Sequence, residues 1–191
     1  MRKFVLRILC QVVFLGALAH VGAAQTAAPP SFEDLAARVQ KYLMVREQVE
    51  SSLPGQKSTK QSEQIVARQK ALAQKIRASR ANAKQGDIFS PGISVKYRQV
   101  IQTAFQGPNA RYVRKTIREG APVKGWSLSI NGDYPDDLPL TTVPPTLLLR
   151  LPQMPKELAY RIVGRDFVLQ DTDARIIVDY IPGALSVKDL P

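Results

Sequence analysis

The chain has 191 residues, 45% of them hydrophobic, which is enough for one folded core with appendages. Its formal net charge is +11, and its single cysteine and single histidine, Cys10 and His20, both lie near the N-terminus. If that segment is removed as a signal peptide, disulfides and Cys–His or Ser–His catalysis are excluded. Zinc, copper and haem sites of ordinary ligation are disfavoured for the same reason.

The first 24 residues have the pattern of a secretory signal peptide. Three basic residues precede an apolar run, Ile8–Ala19, whose 12 residues are fewer than a membrane span of ~20 needs. The small residues Gly22 and Ala24 stand at the −3 and −1 positions and predict cleavage after Ala24, with an uncleaved N-terminal anchor as the alternative. We therefore expect an exported protein, periplasmic or secreted, with no transmembrane span after cleavage.

Charge divides the remaining chain into two regions. Residues 25–119 contain 17 Lys and Arg against 7 Asp and Glu, whereas residues 120–191 contain 7 against 9. This asymmetry predicts a basic helical region over 25–119 and a small antiparallel sheet region over 120–191, after the signal segment 1–24. It also indicates an anionic partner.

Helical periodicity dominates the basic region. Ser31 resembles an N-cap, and apolar residues spaced by three and four predict a first helix over Phe32–Leu53. A second helix is predicted over Lys60–Lys84 and is long enough to pair with the first as an antiparallel hairpin. Two shorter helices are predicted over Ile93–Phe105 and over residues 107–118.

Basic side chains of this region are candidates for binding an anionic lipid or lipopolysaccharide. Lys70, Arg77 and Lys84 are spaced by seven and would share one face of the predicted second helix. The alternative is an ordinary solvated face. Nucleic acid is disfavoured, because an exported protein meets little of it and stacking aromatics are scarce here. The candidates are Arg68, Lys70, Arg77, Arg80, Lys84, Arg111, Arg114, Lys115 and Arg118.

The densest β signal lies near the C-terminus. Leu158–Val163 alternates between two faces, and Gly164 permits the positive φ that a type II′ hairpin turn requires. Asp166–Asp171 follows as a second strand, and after a polar turn Arg175–Ile181 is rich in β-branched residues. This pattern predicts a three-stranded antiparallel meander.

Two further short strands are predicted at Trp126–Ile130 and Thr146–Leu151. A meander of this size is marginal in water and needs a covering layer, for which the upstream helices are the candidates. The predicted fold class is α+β, with an N-terminal helical hairpin, short helices and a small C-terminal meander. The pattern leaves open whether the hairpin packs on the sheet or projects from it.

The run from Tyr160 to Asp171, YRIVGRDFVLQD, continued by Ile176–Asp179, resembles the C-terminal motif of small exported bacterial proteins without a known activity. The resemblance covers about the last quarter of the chain and the upstream Pro-Pro segment. It implies export and carries over no catalytic residue.

Two groups of aspartates could carry chemistry. Asp133, Asp136 and Asp137 precede the sheet, and Asp171 and Asp173 lie in a predicted turn. They could form a calcium site or a carboxylate pair for acid–base catalysis. The alternative is turn chemistry, which we favour because the spacing does not fit an EF-hand loop.

Three further residues are assigned structural roles. Asp179, within the third predicted strand, is expected to face solvent or form a salt bridge. Trp126 and Tyr134 are expected to pack in the core or across strands rather than line a binding groove.

No Gly-rich phosphate loop, G-x-S-x-G or Walker pattern occurs, so we assign no catalytic, cofactor-binding or metal-binding residue and expect no cofactor. The first hypothesis is a non-enzymatic protein-interaction module of the cell envelope, with Arg175–Ile181 as an edge that could accept an added strand. The second is an adaptor for anionic lipid or lipopolysaccharide. The third is an Asp-based hydrolase using Asp133, Asp136 or Asp137.

Overall fold

The structure is a computed structural model that describes residues 32–54, 62–118, 127–135 and 143–186. The predicted signal segment with its cleavage site at Ala24 lies outside the described residues, as do Ser31, Trp126, Asp136 and Asp137.

The described residues form an α+β fold, with helices preceding a three-stranded antiparallel sheet, as the sequence predicts. The helices are α1 (Phe32–Ser51), α2 (Ser62–Ser79), α3 (Pro91–Gln106), α4 (Ala110–Arg118) and the single turn α5 (Pro145–Leu148). The strands are β1 (Leu158–Val163), β2 (Asp166–Asp171) and β3 (Ile176–Ile181).

The helix predictions differ from the structure mainly at the end of α2. The first predicted helix ends two residues too late, at Leu53 instead of Ser51. The second was predicted to reach Lys84, but α2 ends at Ser79. The chain then turns, because Gly86, Ile88 and Phe89 donate backbone hydrogen bonds to a buried carboxylate in β3. A tertiary contact therefore ends α2 where local propensity would continue it.

The meander has the predicted order β1-β2-β3. Gly164 has φ +58° in the two-residue turn between β1 and β2, as a type II′ turn requires. The third strand begins at Ile176 rather than Arg175, because Arg175 has φ +52° and belongs to the turn. A β-bulge between Leu169 and Gln170 shifts the register of β2 against β3.

Neither additional strand is formed by the residues that are described. Thr146 and its neighbours belong to the helical turn α5, which begins at Pro145, a position where proline's fixed φ favours a helix. Residues 127–130 are not a strand either. Instead Asn131 and Gly132 exchange backbone hydrogen bonds with Ile177 of β3, at 2.8 and 2.9 Å.

The sheet separates two apolar clusters. The larger one joins α1, α2 and α3 to one face of the sheet. At its centre the rings of Tyr97 and Phe167 pack with their centroids 5.5 Å apart. The smaller one contains Tyr134, Val168 and Ile177 on the opposite face. The helical hairpin α1–α2 thus packs on the sheet, because the apolar stripe of α1 and the inner face of the sheet are buried in one cluster.

Both outer edges of the sheet are covered. Along β3, Ile177 bonds to the 131–132 segment, and the carbonyls of Val178 and Tyr180 accept from Arg80 and Gln85. On β1, the alternate residues Leu158, Tyr160 and Ile162 are at most 6% exposed. The hypothesis that Arg175–Ile181 accepts an added strand is therefore not supported, since its edge groups already have partners.

Candidate functional site

Two of the predicted anion-binding residues hold α2 against the sheet region. Arg77 donates from Nε to the carbonyl of Asn131 at 2.7 Å and forms an ion pair with Asp133. Arg80 donates to Asn131 Oδ1 at 2.7 Å and to the carbonyl of Val178 at 3.1 Å. These two arginines are docking contacts between secondary-structure elements.

Two more of the predicted residues make local contacts. Arg68 donates to the carbonyl of Pro54 at 2.6 Å and lies 3.5 Å from a carboxylate oxygen of Glu50. Arg114 donates to the carbonyl of Phe105 at 3.3 Å, and its guanidinium lies 5.8 Å from the centroid of that ring. Their cationic groups are thus partly turned towards the protein.

The face predicted from Lys70, Arg77 and Lys84 is not formed. Because α2 ends at Ser79, Lys84 lies in the following loop rather than two turns along the helix. Lys70 and Lys84 are exposed, whereas Arg77 is engaged as described above. Arg111 and Lys115 on α4 are also exposed, and the side chain of Arg118 lies outside the described residues.

Asp171 joins the sheet to the helical hairpin. Its carboxylate is fully buried, and Oδ1 accepts from the backbone N–H groups of Asp173 and Ala174 at 3.1 and 2.8 Å, the turn chemistry that the sequence predicts. Oδ2 accepts from Tyr42 Oη at 2.6 Å and Arg46 Nε at 2.9 Å. Both donors come from α1, so the turn and the helix are held by one carboxylate.

Arg46 is absent from the predicted site residues, yet it is only 4% exposed. It forms ion pairs with Asp171, with Glu50 at 2.7 Å and with Asp173. Burial by itself would lower the pKa of Arg46, but these carboxylates outweigh it and raise that pKa. Burial, then Asp171, raises the pKa of Tyr42 far above its ordinary value. The available signal was spacing, because Arg46 follows Tyr42 by four residues on the apolar stripe of α1.

Asp179 is buried rather than solvent-facing or salt-bridged, so that prediction is wrong. Oδ2 accepts from the N–H groups of Ile88 and Phe89 at 2.7 and 2.8 Å, and Oδ1 from those of Gly86 and Tyr180 at 3.0 and 2.8 Å. Burial raises the pKa of Asp179, and the hydrogen bonds to backbone N–H groups act in the opposite direction. This carboxylate therefore fixes the loop between α2 and α3 on the sheet.

The aspartates proposed for metal binding or hydrolysis are not assembled by the described part of the chain. Asp133 is exposed and paired with Arg77, and Asp171 and Asp179 make the buried contacts given above. Among the residues that the structure describes, no group of three or more His, Cys, Asp or Glu side chains could hold a metal ion.

A groove of about 780 Å³ runs between α2 and the segments that flank the sheet; we call it the α2 groove. Its buried members are Ala73, Ala174 and Tyr134. Tyr134 also packs in the smaller apolar cluster, as predicted. The α2 groove is amphipathic and basic, since Lys70, Arg77 and Arg175 line it with one acidic residue, Asp133, together with Val66, Gln69, Gln74 and Pro135.

Comparison with known proteins gives no match to a protein-family model, a curated protein or a solved structure. No described helix combines the length and the hydropathy that crossing a membrane requires.

Proposed function

We propose that the protein is an exported, non-enzymatic binding module of the cell envelope that takes a segment of a partner protein into the α2 groove. The observation that carries this proposal is the groove itself, a concave surface of about 780 Å³ beside an exposed helix face.

The chemistry of this surface suits a protein partner. Val66 is 44% exposed and lines the α2 groove. Gln69 and Gln74 add amides that can donate and accept hydrogen bonds. Apolar contact area with a polar rim is the usual composition of a protein interface. The excess of cations in the groove favours a partner segment with net negative charge.

The distribution of the cations favours this groove over adsorption to a flat anionic surface. Arg68, Arg77, Arg80 and Arg114 each donate to a backbone carbonyl of the protein. Of the described candidates, Lys70 lies on α2, Lys84 in the loop that follows, and Arg111 and Lys115 on α4, so the exposed cations of this set are spread over three elements rather than gathered on one helix face.

Binding is also favoured over Asp-based hydrolysis. Asp171 and Asp179 are committed to buried hydrogen bonds that hold the fold, and Asp133 is paired on the surface. Export is supported by the signal-like composition of the first 24 residues. Determining the N-terminal residue of the protein recovered from cells tests it, with Gln25 expected and Met1 contradicting cleavage.

Site-specific photo-crosslinking in living cells tests the binding surface. A photoreactive residue replaces Gln74, which is exposed and lines the α2 groove, and the matched control replaces Gln99, an exposed glutamine of α3. We expect a discrete protein adduct from position 74 and not from position 99. Val66→Glu, which places a charge in the groove, should reduce the adduct.

Equal adducts from both positions, or no protein adduct from position 74, would contradict the proposal. Adducts with lipid or lipopolysaccharide alone, lost at high salt, would instead favour the anionic-surface hypothesis.

A further inference from the structure

A second groove, of about 630 Å³, is lined by residues of the helical hairpin; we call it the α1 groove. It is formed by one face of α1, the C-terminal end of α2 and the loop that follows. Its charged lining residues are Asp34, Arg38, Lys41, Arg80 and Asp87. The α1 groove shares no lining residue with the α2 groove.

Arg80 brings to the α1 groove a cationic group that makes no direct ion pair with the described residues. Its two described side-chain hydrogen bonds go to neutral oxygens, Asn131 Oδ1 at 2.7 Å and the Val178 carbonyl at 3.1 Å. Its guanidinium also lies 4.9 Å from the centroid of the Tyr42 ring. Within the described ranges no carboxylate lies at ion-pair distance from Arg80. Burial lowers the pKa of Arg80, while neighbouring Tyr42 and more distant acids act to raise that pKa.

The other charges of the α1 groove leave a net positive balance. Arg38 forms an ion pair with Asp34 at 3.1 Å and donates to the backbone carbonyl of Asp87 at 2.8 Å. The carboxylate of Asp87 accepts from the backbone N–H of Lys84 at 3.0 Å. Lys41 is exposed on the rim, and the described part of the chain offers it no ion pair. Lys41 and Arg80 therefore face one acidic side chain, Asp87.

The groove has room for more than an inorganic ion, and Ser79 and Asn82 add polar side chains to its lining. A phosphate monoester carries a charge of about −1.5 to −2 at neutral pH and three strong acceptor oxygens, which suits two cationic donors. We propose that the α1 groove binds a small organic phosphate, whose phosphoryl group is held by Lys41 and Arg80. This site is independent of the partner-binding role proposed for the α2 groove.

The site is tested by titrating the purified protein with glycerol phosphate. Calorimetry and amide chemical shifts are the two measurements of binding. Saturable binding is expected, with the largest shifts at groove residues such as Lys41 and Ala83. Lys41→Gln should weaken binding about fivefold, in the range expected for one partly exposed ion pair. Lys115→Gln, the same substitution at an exposed lysine of α4, is the matched control and should leave binding unchanged. Lys41 is the better test because Arg80 also holds α2 to the sheet region.

The same two variants with vesicles containing phosphatidylglycerol distinguish a soluble ester from a lipid head group. Weaker binding in Lys41→Gln but not in Lys115→Gln supports the site. If the difference is seen with glycerol phosphate, the ligand is a soluble ester; if it is seen with the vesicles, the ligand is a lipid head group. Unsaturable shifts, or equal losses in Lys41→Gln and Lys115→Gln for both probes, would show a response to overall charge and overturn the proposal.

Discussion

Replacing Asp179 by asparagine should destabilise the fold by removing half of a hydrogen-bonded loop anchor. The carboxylate offers two acceptor oxygens, and each of them receives two backbone N–H groups at 2.7–3.0 Å. An asparagine side chain offers one oxygen and one NH2 group. Whichever way the amide is oriented, two N–H groups face a donor instead of an acceptor.

The magnitude follows from the number of orphaned donors. A buried N–H group left without an acceptor costs about 1–3 kcal/mol, so two of them cost about 2–6 kcal/mol. Asn carries no charge, and removing a buried charge offsets part of this loss, because burial disfavours the ionised form of Asp179. We expect a net loss of about 2–3 kcal/mol at neutral pH.

Urea unfolding followed by circular dichroism measures the effect, and the midpoint should fall by about 1–2 M. Asp133→Asn is the matched control, since it makes the same chemical change on a side chain that is 79% exposed. It removes only an exposed ion pair with Arg77 and should lower the midpoint by less than about 0.5 M. If Asp179→Asn unfolds at the same urea concentration as Asp133→Asn, the four hydrogen bonds do not stabilise the fold and the reasoning is wrong.

Three further changes test the buried charges and the turns. Burial raises the pKa of Asp179 above its unfolded value of about 3.8, so the contribution of this carboxyl group to the free energy of unfolding is fully present below pH 3.8 and is lost as pH rises through the folded pKa. The difference in stability between the wild type and Asp179→Asn should therefore narrow with rising pH. A difference that widens would mean that the N–H donors outweigh burial. Arg46→Met leaves the Asp171 carboxylate buried without its cation and should lower the free energy of unfolding, measured thermally or in urea, by about 3–5 kcal/mol. Tyr42→Phe removes one hydrogen bond to the same oxygen and should cost about 1–2 kcal/mol. Equal losses would contradict the dominance of the ion pair. Gly183→Ala should cost about 1 kcal/mol because residue 183 has φ +55°, and an unchanged melting temperature would show that the turn relaxes.

Elements were predicted accurately where the sequence pattern that specifies them spans only a few neighbouring residues. Strands β1 and β2 were predicted to the residue, since alternation of side chains and a glycine at the turn are local patterns. The end of α2 was predicted five residues too late, because nothing in that stretch reveals that the following loop must reach Asp179. The segment Thr146–Leu151 has strand-like composition, but Pro145 starts a helical turn there.

The candidate sites were less predictable than the fold. The list of cations included Lys70 and Arg77, which line the α2 groove, and Arg80, which lines the α1 groove. The list did not separate exposed cations from those that dock helices, because the sequence does not show whether an arginine side chain faces water or a backbone carbonyl. Lys41 was absent from the list, since its neighbourhood is created by the loop after α2.

The sequence by itself determined the α+β class, the order of helices before strands and the three-stranded meander, because periodicity and turn residues act over a few positions. Only the tertiary structure decided that the hairpin packs on the sheet and that Asp171 and Asp179 are buried anchors. It also decided that Arg77 and Arg80 are docking contacts and which residues line the α1 groove and the α2 groove. The physical reason is the separation along the chain. These contacts between elements join residues 51 to 129 positions apart, and their energies depend on burial and on partners that no local pattern specifies.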